Sequence, residues 1–122
     1  MRLNKLQKTA VTALEDIKAR DITLLDVRKL TSLYDTLIVA SADSARQVKA
    51  LARHVRDELK DAGADIIGVE GEESGEWVLV DAGSIVVHVM QPTVRAYYNL
   101  EELWTPPAPK RRAAPKPAAR AA

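Results

Sequence analysis

Two histidines, His54 and His88, and three aspartates near strand ends, Asp26, Asp35 and Asp81, are the side chains with which this chain could do acid-base or metal chemistry. It has no cysteine, which removes thiolate nucleophiles, CxxC redox pairs, disulfides and cysteine-held zinc, and which fits a reducing cytoplasm. His54 lacks the paired ligands of an HExxH motif and reads as a helix-surface residue. Alternation sets Val86, His88 and Met90 on one strand face, so either that face is half covered or His88 is bonded to a partner such as Asp81 across a hairpin. No nucleophile accompanies it. The aspartates could hold magnesium in a nucleotidyltransferase-like or phosphoryl-transfer enzyme if they converged. There is no GxxxxGK[ST] or GxGxxG loop, however, and the five glycines fit turns or element ends, so solvated or capping aspartates are the simpler reading.

The stretch GEWVLVDAGSIVVHVM, residues 75–90, carries a different signal. Period-two alternation puts Trp77, Leu79 and Asp81 on one face and Val78 and Val80 on the other. The aliphatic face is the better one to pack on helices. The other then shows an indole, a leucine and a carboxylate together, the composition of a binding hot spot. The alternative is that Trp77 is ordinary core.

Several elements must position these residues. Leu3, Leu6, Ala10, Ala13, Leu14 and Ile17 recur at helical steps and predict a helix from Leu3 to about Lys18. Ile22–Val27 and Thr36–Ser41 read as strands, the second apolar at successive positions as a central strand would be. Ser44 and Gln47 form a capping-box pair ahead of a helix from Ala45 to about Ala62, buried through Val48, Leu51, Ala52, Val55 and Leu59 and stopped by Gly63. Ile66–Glu70, Trp77–Asp81 and Ile85–Met90 are three further strands, the last two joined across Ala82-Gly83 as an antiparallel hairpin. After Pro92 a short helical piece, TVRAYYNLEELW, follows. The order predicts one α/β domain over residues 1–105, with a mixed sheet of about five strands flanked by helices.

From 106 to 122 the chain is proline, alanine, lysine and arginine without periodicity, a disordered tail in this reading. It holds five basic and no acidic residues, so the formal net charge of +1 hides a body of net −4. An acidic body argues against a general nucleic-acid binder and favours a basic protein surface as partner. One exception is a ridge of Arg46, Lys49, Arg53, Arg56 and Lys60 along one face of the long helix: a solvated face, or a contact for RNA. The N-terminus has no apolar run of signal-peptide or membrane-spanning length, so no membrane association is expected.

Together, Asp26-Val27-Arg28-Lys29, Ser32, Asp35, Ile38-Val39-Ala40, Ser44-x-Arg46-x-Val48, Gly68-x-Glu70-Gly71, Trp77-Val78-Leu79-Val80-Asp81, Gly83, Val86-Val87-His88-Val89-Met90 and Arg95-x-x-Tyr98-x-Leu100-Glu101-x-x-Trp104 resemble the ribosomal silencing factors, the iojap-like proteins. The resemblance runs from about residue 4 to 104. It implies a fold similar to the nucleotidyltransferases without their catalytic equipment, and an activity that is binding, with no reaction and no cofactor. The implied partner is ribosomal protein L-fourteen of the large subunit, at the face that meets the small subunit, so that joining is blocked and translation falls when nutrients are scarce. A part in large-subunit assembly and a homodimer when free are also implied. Carried over by position, the docking residues are Trp77, Leu79 and Asp81, joined by Glu70, Tyr98 and Leu100. Arg46, Lys49 and Arg53 are then candidates for touching nearby ribosomal RNA. Ser84 departs from the family, which often has an acidic residue there.

Overall fold

A computed structural model describes residues 3–100; the tail from 106 to 122 and the last residues of the 93–104 segment lie outside them. The elements run α1 (Lys5–Asp16), β1 (Arg20–Asp26), β2 (Thr36–Ser41), α2 (Ala45–Asp61), β3 (Gly68–Glu70), β4 (Trp77–Asp81), β5 (Ile85–Met90) and α3 (Pro92–Tyr98). The strands form one mixed sheet in the order β1-β2-β5-β4-β3. Among these, β2 and β5 pair in parallel, and the other three pairings are antiparallel.

Every residue of β2 and β5 is buried, as expected for central strands covered on both faces. On one face Ile38, Ala40, Val78, Val80, Ile85, Val87 and Val89 pack under α1 and α2. On the other, Val27, Leu37, Val39, Val86 and Met90 form a smaller cluster, edged by Leu25, Tyr34, Trp77, Leu79, Val94 and Leu100. The sheet is therefore thickly covered on its helical face and thinly on the other. The buried stripe of α2 is Val48, Leu51, Ala52, Val55 and Leu59, and Gly63, at φ 103°, takes the left-handed turn beyond it.

Several boundaries differ from the sequence reading. α1 ends at Asp16, and Lys18, at φ 62°, turns the chain toward β1. Its start is a reciprocal capping box, with the Asn4 side chain accepting from Gln7 N–H and Gln7 accepting from Asn4 N–H. At α2 only half of that motif forms: Ser44 Oγ accepts from Gln47 N–H, while Gln47 accepts from Asp43 N–H and donates to the Ile17 carbonyl. Gln47 thus ties α2 to the end of α1. β3 shortens to Gly68–Glu70, leaving Ile67 exposed. α3 closes at Asn99, in the left-handed conformation at φ 47°, and the rest of the TVRAYYNLEELW segment beyond Leu100 lies outside the described residues. Among the described residues no helix is long and apolar enough to cross a membrane.

Candidate docking face

The sheet register aligns the thinly covered face into rows. Trp77 stands opposite Met90, which pairs with Ser41; Glu70, Leu79, His88, Val39 and Thr23 form the next row; Gly68, Asp81, Val86, Leu37 and Leu25 the third. Alternation in β4 is as the sequence predicts: Val78 and Val80 are fully buried under the helices, while Trp77, Leu79 and Asp81 are partly exposed on the opposite face. β3 contributes Glu70, exposed at the edge. Tyr98 is 45% exposed and Leu100 partly buried, both beside this face.

Trp77 is fixed from two sides. Its indole Nε1–H donates to His88 Nδ1 at 2.8 Å, a diagonal contact across the hairpin, and its ring meets that of Tyr98 at a centroid distance of 4.9 Å. This corrects the pairing of His88 with Asp81. Asp81 stands opposite Val86, and its Oδ1 accepts instead from Gly83 N–H, closing the hairpin turn as an Asx-turn does. Burial pushes the His88 imidazole from 6.5 down to about 4, so the ring is neutral near pH 7. With Nδ1 accepting, the neutral proton resides on Nε2.

Two residues outside the sequence-derived set complete the face. Arg95 of α3 donates to the Asp21 carbonyl, to Ser41 Oγ at 2.8 Å and to Thr23 Oγ1 at 3.0 Å, and so anchors α3 across β1 and β2 and sets Tyr98 against Trp77. Tyr34, ahead of β2, packs into the smaller cluster, where desolvation and then the Asp81 carboxylate raise its hydroxyl pKa. The signal for Arg95 was its place in the Arg95-x-x-Tyr98 spacing; Tyr34 carried none beyond being an aromatic before a buried strand.

The other candidates fall elsewhere. His54 bonds Asp16 at 3.0 Å, joining α2 to α1. Asp26 is held by Arg28, whose side-chain and backbone hydrogen bonds keep the carboxylate below its ordinary pKa. Among the described residues no three His, Cys, Asp or Glu side chains gather as a metal would need, so Asp26, Asp35 and Asp81 do not converge. Arg46 and Arg53 are exposed and Lys49 partly so, all on α2 and therefore across the sheet from Trp77.

A profile described as "Ribosomal silencing factor during starvation" matches residues 1–121. The chain is 62% identical over 104 residues to a protein of Chromobacterium violaceum named "Ribosomal silencing factor RsfS", covering 85% of each. It is 33% identical over 98 residues to mouse "Mitochondrial assembly of ribosomal large subunit protein 1", covering 78% of this chain and 43% of that one. In three dimensions it is similar to a crystal structure of a Chromobacterium violaceum protein, with a TM-score of 0.82, 56% identity and 98% of each chain covered.

Proposed function

This chain belongs to the ribosomal silencing factor family and has its ribosome-associated, translation-silencing role, and on that premise we propose that its thinly covered sheet face docks on ribosomal protein L-fourteen of the large subunit. Bound there, at the surface that meets the small subunit, the protein stops the subunits from joining by occupying space. The mechanism is competitive occupancy, and no bond is made or broken. In this reading the protein works in the cytoplasm, where the large subunit is.

The observation that carries the reading is the state of Trp77. A large ring left partly exposed, yet held rigid by His88 on one side and Tyr98 on the other, loses little freedom when a partner covers it. Leu79 adds an aliphatic contact in the next row, and Asp81 and Glu70 add carboxylates at the rim. That pattern of apolar centre and acidic border suits a basic ribosomal protein, because complementary charge speeds and orients encounter. An interface of about 1,600 Å² in total, the standard size for specific complexes, is ample for steric exclusion. The name of the mouse relative supports the large subunit as the particle concerned.

The test is direct binding to purified L-fourteen. Leu79→Asp, which leaves the Trp77–His88 bond in place, is expected to weaken binding at least about tenfold, the loss typical of a central hot-spot residue. Unchanged affinity in a folded Leu79→Asp variant would move the interface elsewhere.

A further inference from the structure

The outward flank of α2 carries a row of like charges, in which Asp57 lies four residues after Arg53 and three before Lys60. Arg46, Lys49, Arg53, Arg56 and Lys60 follow one another at three- and four-residue steps, so each cation neighbours the next at about 5–6 Å between Cβ atoms, a spacing at which like charges oppose the helix. Arg46 lies in the first turn, which has no acidic residue, where the positive end of the helix dipole also repels it. Among the described residues only Arg56 of the five has an ion-pair partner, Asp57 at 2.8 Å. The row also gathers five of the twelve lysines and arginines between residues 3 and 100, against fifteen acidic residues in the same span.

The chemistry of that row selects among anionic partners. An amphipathic helix that lies in a membrane surface buries its apolar face among the lipids, but the apolar stripe of α2 is already buried inside the protein. Single-stranded RNA would need aromatic platforms for its bases, and α2 has no Phe, Tyr or Trp. What remains is a straight track of cations some 20 Å long, from 14 helical steps of 1.5 Å, matched to the phosphates along a structured RNA.

We propose that the Arg46–Lys49–Arg53–Arg56–Lys60 track of α2 binds the phosphate backbone of double-helical RNA. Because α2 and Trp77 lie on opposite faces of the sheet, the track stays open when the docking face is occupied, and the proposal stands whether or not that face binds L-fourteen. Contact through phosphates gives affinity without sequence choice, and it is salt-dependent.

The experiment measures retention of the full-length protein on an RNA hairpin of about 16 base pairs across a salt series. One triple variant, Lys49→Glu, Arg53→Glu and Lys60→Glu, is set against a second of equal charge, Lys5→Glu, Lys8→Glu and Lys29→Glu, which reverses exposed lysines elsewhere. Reversal of the α2 track is expected to lower affinity at least about tenfold and to reduce the salt slope by roughly two to three units, whereas the charge-matched variant keeps the wild-type slope. Equal losses in the two triple variants, or binding of polyglutamate as tight as that of the hairpin, would overturn the proposal.

Discussion

Trp77 Nε1–H donates to His88 Nδ1 at 2.8 Å, a side-chain bond that links β4, which carries the proposed docking residues, to β5 at the centre of the sheet. It satisfies the polar atom of a large ring at the surface and an acceptor of a ring in the interior. The indole is thereby aimed rather than merely packed.

Removing the donor leaves His88 Nδ1 buried without its partner. Trp77→Phe is expected to cost about 1–3 kcal/mol, the penalty for an unsatisfied buried polar group. Urea denaturation at pH 7 measures it.

Acid should act through the same residue. His88 titrates at about 4 in the folded protein against 6.5 unfolded, so between those values the unfolded chain binds more protons. Its stabilising contribution is complete above about pH 6.5 and is lost as pH falls toward 4, a drop of roughly 3 kcal/mol. His88→Gln, which cannot titrate, should flatten that part of the stability profile in denaturant melts taken from pH 7 to 4.

Gly71 controls the approach of the loop to Trp77. At φ 89°, a Cβ there would lie 2.1 Å from the Trp77 carbonyl oxygen, backbone that cannot give way. Gly71→Ala should destabilise the protein by at least about 1–3 kcal/mol, the cost of a strained backbone alone. Thermal melting reads the stability, and indole fluorescence in a Trp104→Phe background, which leaves Trp77 as the single tryptophan, reports its displacement.

How much of this was legible in sequence follows from the range of the forces involved. Alternation in β4 separated Val78 and Val80 from Trp77, Leu79 and Asp81, because burial of one face imposes a period of two. The unbroken apolar run of β2 marked a central strand for the same reason. The parallel β2–β5 pairing is not written locally, since it depends on a long excursion through α2, β3 and β4. Asp81 was a reasonable partner for His88 by charge, but the turn beside it claims its oxygen, and only the diagonal geometry of the hairpin reveals Trp77. Arg95 reaches residues 54 and 72 positions away, which no spacing rule predicts.

That long reach makes Arg95 a positioning residue. Arg95→Ala should free α3 from β1 and β2 and let Tyr98 leave the indole, with a stability loss of about 1–3 kcal/mol and weaker binding to L-fourteen. Hydrogen exchange in residues 92–98 against that in α2 separates local release from global unfolding.

The most direct measurement is sucrose-gradient sedimentation of the protein with purified large and small ribosomal subunits. Wild type is expected to travel with the large subunit and to suppress formation of joined ribosomes, and folded Leu79→Asp to do neither. Wild type that leaves joining unaffected, or Leu79→Asp that blocks it as fully as wild type, would contradict the claim that this sheet face silences the ribosome by occupying its subunit interface.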